Sequence, residues 1–172
     1  LCEMQTDLCI AIKLYASWIG AIQDKKIELI QNHTFHPYTG FQSLDKYASG
    51  YITVADLTQK LKDYNFPITP TEGQYLVMYK SKCLLYNRSF DAALVRDDVL
   101  TYDDFLTLIS PNDRKYLADK FSFGVNKYEG VAKVLPEYTY RSLMEVFCME
   151  VEIYREFEKL KHLLIQKHGY CA

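Results

Sequence analysis

The chain has 172 residues, of which 49% are hydrophobic and 24% charged, with only 7 glycines, a composition that excludes disordered and collagen-like classes and favours a helix-rich globular fold. Twenty Lys and Arg against 22 Asp and Glu give a net charge of −2, and no stretch concentrates the basic residues, so neither nucleic acid nor an anionic membrane is an expected partner. Five scattered cysteines (Cys2, Cys9, Cys83, Cys148, Cys171) form no C-x-x-C pair and read as reduced thiols in a cytoplasmic setting.

The longest apolar run, Leu8 to Ile22, is interrupted by Lys13 and falls short of the roughly 20 residues that span a bilayer. Glu3 and Asp7 precede it, where a signal peptide would carry basic residues. The chain opens on Leu1 rather than Met, as expected of a segment of something longer, so targeting signals outside it would be invisible.

In chain order, Leu8, Ile12, Tyr15, Ile19, Ile22 and Leu29 recur at steps that keep one face of a helix buried, which predicts a long helix over 4–32 with Lys26 as the break in its seam. Pro37 opens a short helix bearing Phe41 and Leu44, and Ser49-Gly50 turns the chain. Thr53 and Asp56 have cap spacing for a helix through Leu57, Leu61 and Tyr64. Thr69-Pro70-Thr71-Glu72 is a stronger start signal, opening a helix with Tyr75, Leu76, Tyr79 and Cys83. After a loop of about fifteen residues, Thr101-Tyr102-Asp103-Asp104 repeats the cap spacing ahead of Phe105, Leu108 and Ile109. Ser110-Pro111-Asn112-Asp113 ends that helix and caps a further short one.

A linker with Gly124, Gly130 and Pro136 leads to a second long helix, expected over 140–167. Its seam is Val146, Met149, Ile153, Leu160 and Leu163, flanked by Leu143, Phe147, Tyr154, Phe157 and Leu164. Glu150 and Glu156 interrupt that seam, so part of this helix is expected to face solvent or a partner. The two long helices also match when Leu29-Ile30-Gln31 is laid on Leu164-Ile165-Gln166, which pairs Leu8 with Leu143, Ile12 with Phe147 and Ile22 with Phe157. True repetition would make the last helix the start of a second copy.

Two helix–loop–helix units in tandem, each with an apolar residue before a T-x-x-D cap, resemble a paired EF-hand domain. The resemblance is most specific at Leu44-Asp45-Lys46-Tyr47-Ala48-Ser49-Gly50-Tyr51-Ile52-Thr53-Val54-Ala55-Asp56. On a twelve-residue EF-hand loop, Asp45 takes position 1, Ser49 position 5, Gly50 the sharp turn at 6, Tyr51 the carbonyl at 7, Ile52 the apolar position 8 and Asp56 position 12. In the second unit Leu100 corresponds to Ile52, with which it would pair in a short two-stranded link. The front half of that loop departs from the pattern: its first and third positions fall on Ala93 and Val95, which have no side-chain oxygen.

The resemblance implies an all-α fold, a paired EF-hand domain with long flanking helices at both ends: a first helix over 1–34, a degenerate EF-hand pair over 35–121, a linker over 122–138 and a final helix over 139–172. Phe35, Pro37, Tyr38 and Phe41, together with Ser110-Pro111-x-Asp113-Arg114-x-Tyr116, are further similar to EF-hand proteins of ciliated protists, which implies a cytoskeletal and axonemal setting.

Calcium takes six to eight oxygens, several from carboxylates. The first loop offers two carboxylates, Asp45 and Asp56, with Tyr47 in place of an acid at position 3 and Lys46 adding positive charge. If calcium binds, its ligands are Asp45, Ser49, Tyr51 and Asp56, but no metal and no cofactor is expected; Asp91, Asp97 and Asp98 could serve the second loop only in a non-standard geometry. The helix pair then presents a fixed apolar groove to a helix, either the N-terminal helix in cis or a partner protein's segment. The expected function is a calcium-independent scaffold that binds other proteins, such as cytoskeletal components of a large assembly; the alternatives are a calcium-responsive sensor using the first loop, and an accessory subunit whose chemistry lies in its partner.

No catalytic residue is expected. The chain lacks G-x-x-x-x-G-K-S/T, G-x-G-x-x-G and G-x-S-x-G, and its paired acids Asp97-Asp98 and Asp103-Asp104 are adjacent, which on a helix points them apart. His33 with His36 and His168 with Cys171 are spaced as metal pairs but read as exposed helix-end residues, suited to the negative end of the helix dipole.

Overall fold

The computed structural model describes residues 2–80, 98–112 and 134–169, with the side chain of Cys2 left aside. The elements in chain order are α1 (Cys2–Gln31), α2 (Pro37–Leu44), β1 (Tyr51–Thr53), α3 (Val54–Asp63), α4 (Pro70–Gln74), which continues as a π-helical turn over Tyr75–Lys80, then β2 (Val99–Thr101), α5 (Tyr102–Ile109) and α6 (Glu137–His168). The expectations for Cys83, Ala93, Val95, Asp91, Asp97, Cys171, the short helix after Asn112 and most of the linker lie outside the described residues.

The predicted caps form as their chemistry requires. Thr53, Thr69 and Thr101 each accept the backbone N–H of the residue three positions on, while Asp56, Glu72 and Asp104 each reach back to the cap's own N–H. These reciprocal bonds satisfy donors that a helix start otherwise leaves open. Pro37 stands at the first position of α2, and Asn65, with φ of 63°, takes the left-handed turn that ends α3. The last helix begins earlier than the sequence spacing suggests: Pro136 supplies its N-cap, so Glu137 and Tyr138 belong to α6 and not to the linker.

β1 and β2 pair antiparallel with Ile52 opposite Leu100, flanked by Tyr51 opposite Thr101 and Thr53 opposite Val99. Ile52 and Leu100 are both fully buried, so the ladder is a clasp through the core that ties the start of α3 to the start of α5.

The two long helices pack against each other and on the core. α1 and α6 lie antiparallel, as their contacts show: Lys25 with Glu145, Lys26 with Glu150, Tyr15 with Phe157 and Asp7 with His168. Leu29 and Ile30 from α1 and Leu143, Met144, Val146, Phe147 and Val151 from α6 join Phe41, Leu57, Leu76 and Phe105 in one core. Several positions that match between α1 and α6 take opposite environments: Leu8 and Ile12 are exposed where Leu143 and Phe147 are buried, and Ile22 is buried where Phe157 is exposed. Among the described residues no helix is long and apolar enough to cross a membrane.

Candidate functional site

The loop between α2 and α3 is built around Asp45, the C-cap of α2. Its Oδ1 accepts the Ser49 N–H at 3.0 Å, and its Oδ2 accepts the Gly50 N–H at 2.8 Å. Gly50 takes φ of +81°, the left-handed backbone that lets the chain double back toward Asp45. Ala48 shares that region with φ of 52°. The Ser49 hydroxyl lies 3.0 Å from Asp45 Oδ1 and 2.8 Å from the Tyr51 carbonyl, and its single proton serves one of them at a time.

The Ser49 hydroxyl thus lies between the Asp45 carboxylate and the Tyr51 carbonyl. Asp56 does not join them freely: its Oδ2 accepts the Thr53 N–H at 3.1 Å and the Thr53 hydroxyl at 2.6 Å. Tyr47 is 72% exposed, with the Lys46 ammonium 5.4 Å from its ring centroid, so position 3 turns outward and adds no oxygen. Asp45 thus spends part of its accepting capacity on its own loop, and residues 45–56 carry no carboxylate besides Asp45 and Asp56. Among the described residues no group of three His, Cys, Asp or Glu side chains could hold a metal ion.

Beneath the clasp, α6 packs in cis against the core built from α2 to α5. The sequence leaves the N-terminal helix in cis and a partner's segment as alternatives; the helix that packs here is chiefly the first half of α6. The Phe147 ring stacks on Phe105 with centroids 6.3 Å apart, and Tyr154 stacks on Tyr75 at 4.3 Å. The reason is the width of the α6 stripe: Leu143, Val146, Phe147 and Val151 present two adjacent apolar rows, whereas the part of α1 that reaches this core offers Leu29 and Ile30.

Polar fasteners hold α6 in place, and sequence reasoning missed them. Glu72, already the partner of its cap, accepts from Arg155 Nε at 2.6 Å and Nη2 at 3.0 Å, while Nη2 also donates to the Pro67 carbonyl at 3.0 Å. The Arg155 hydrogen bonds hold the Glu72 carboxyl below its ordinary range, and Glu72 in turn raises Arg155. Glu150 is not a solvent-facing break in its helix: it is fully buried against Lys26 at 2.7 Å and Lys80 at 3.1 Å. Desolvation pulls Lys26 below the usual lysine range despite that partner. The signal was present, since Lys26 and Glu150 were the charged interruptions of two otherwise apolar seams.

Of the histidines, His33 is exposed, but His36 precedes α2 and so sits at a helix start. His168, at the end of α6, is half-buried with its Nε2 2.8 Å from Asp7 Oδ2, so it pairs rather than projecting into solvent. Burial pushes the Cys148 thiol up to about 12, which keeps it protonated at neutral pH.

No protein-family model matches this chain, and no match was found among curated proteins or solved structures.

Proposed function

We propose that this chain is a non-catalytic, calcium-independent scaffold built on a degenerate EF-hand pair, binding other proteins within a ciliary or flagellar axoneme or a related microtubule assembly. The observation that supports the reading is the shortage of carboxylates in the first loop: among residues 45–56 only Asp45 and Asp56 carry one, and Tyr47, 72% exposed, turns outward where an acid would serve. A calcium switch also needs helices free to reorient around a groove. Here Phe147, Tyr154 and the Arg155–Glu72 pair lock α6 across it, so a partner meets the outer surface and not the groove. The axonemal setting rests on the sequence resemblance alone.

One observation favours a second reading, a weak calcium sensor: Asp45 Oδ1, Ser49 Oγ and the Tyr51 carbonyl already face one another. Calorimetric titration with calcium, paired with thermal melts in calcium and in chelator, decides between them. The scaffold reading expects no binding heat and superimposable melts. Micromolar binding that disappears in Asp45→Ala would replace it with the sensor.

A further inference from the structure

The helix that opens at Pro70 changes register partway along: it is α-helical over Pro70–Gln74 and π-helical over Tyr75–Lys80. A π turn takes one residue more than an α turn, with each N–H bonded to the carbonyl five back rather than four, and it is a rare form. No proline or glycine stands between Tyr75 and Lys80 to impose it locally. Its cause lies across from it, on α6.

Both ends of the turn meet that helix. Tyr75 stacks on Tyr154 with ring centroids 4.3 Å apart, and Lys80 Nζ lies 3.1 Å from Glu150 Oε2. Glu150 and Tyr154 are four residues apart, one turn of an α-helix, whereas the residues that meet them are five apart, one turn of a π-helix. With Tyr75 seated on Tyr154, an α register would bring Tyr79 over Glu150 and swing Lys80 aside. Tyr79 is instead 67% exposed.

We propose that Tyr75–Lys80 is a register switch held in its π form by the charge of Lys80, and that without this charge the segment relaxes to an α-helix, turning Lys80 outward and Tyr79 onto α6. The fully buried Glu150 keeps Lys26 at 2.7 Å in either register, so the departure of Lys80 does not strand the carboxylate. The second ion pair is therefore a releasable hold. Leu76 and Val77, both fully buried, lie at the start of the turn, where the two registers have diverged least, so the core survives the change. The lysines also differ in access: Lys26 is 4% exposed and Lys80 25%, so a change of charge imposed from solvent reaches Lys80 first. The signal read is loss of positive charge at that one side chain, whether or not the first loop binds calcium.

NMR scalar couplings across the backbone hydrogen bonds of the full chain test the switch, because they name the acceptor of each N–H. In the parent and in Lys80→Arg the residue-80 N–H is expected to couple to the Tyr75 carbonyl, five back, and in Lys80→Met to the Leu76 carbonyl, four back, with Tyr79 losing solvent exposure. Should Lys80→Met fail to fold, Lys26→Met with Glu150→Leu removes the anion instead of the cation and is expected to give the same move to Leu76. A residue-80 N–H that keeps Tyr75 as its acceptor in these variants, or that already couples to Leu76 in the parent or in Lys80→Arg, overturns the proposal.

Discussion

Lys26 Nζ lies 2.7 Å from Glu150 Oε1 with both side chains almost wholly removed from water, and the second carboxylate oxygen is met by Lys80 at 3.1 Å. Removing one member of a buried pair strands the other charge, at a cost of about 3–5 kcal/mol, whereas replacing both by apolar residues of similar volume is often close to neutral. Glu150→Gln is therefore expected to be severely destabilising. Lys26→Met with Glu150→Leu is expected to recover most of the loss, because Lys80 is 25% exposed and can turn to solvent. Denaturant titrations of the single and double variants measure the coupling.

The Glu72–Arg155 pair sets a pH dependence. The folded state holds Glu72 below its ordinary 4.5, so between those two values the unfolded chain binds more protons. Its stabilising contribution is therefore complete above 4.5 and is lost as pH falls through the lower, folded value. Melting temperatures followed from neutral to acidic pH should fall less steeply in Arg155→Met than in the parent once pH drops below 4.5, and Glu72→Gln should remove the same component.

One substitution has opposite signs in two helices. A Cβ on Gly20, inside α1, meets nothing within 4 Å, so Gly20→Ala should stabilise by about 0.5–1 kcal/mol through helix propensity alone. At Gly73 in α4 a Cβ would stand 2.9 Å from both Thr58 Oγ1 and Val54 Cγ1 of α3, so Gly73→Ala should destabilise by about 1–3 kcal/mol. Parallel chemical denaturation of the two variants checks the contrast.

Asp45 is expected to matter in chelator as much as in calcium. Its carboxylate accepts the Ser49 and Gly50 N–H groups, and losing these acceptors in Asp45→Ala should cost about 1–3 kcal/mol of stability with calcium absent. Hydrogen exchange of the Ser49 and Gly50 amides, faster in the variant, locates the effect.

Local chemistry in this chain was legible in the sequence. The three T-x-x-acid caps, Pro37 at a helix start, the turn at Gly50 and the Ile52–Leu100 register each depend on residues a few positions apart or on one shared pattern. What remained hidden depends on which element lies across from which. Lys26 and Glu150 each look like a defect when read along one helix, and only the antiparallel placement of α1 and α6 turns two defects into a pair. Glu72 is fully explained by its cap until Arg155 arrives from far along the chain. The packing of α6 on this core was hidden for the same reason: periodicity ranks faces by apolarity but does not say which helix wins the site.

The unbroken course of α6 has a mechanical consequence. A rod of 32 residues, roughly 48 Å long at the helical rise, is anchored at one end by Phe147 and protrudes at the other through Leu164. With no hinge between them, force applied to the protruding end is delivered as torque to Phe105, Tyr75 and the clasp at Ile52. Because α1 runs alongside it through Tyr15–Phe157 and Asp7–His168, the far half of α6 is braced as well as continuous with the core.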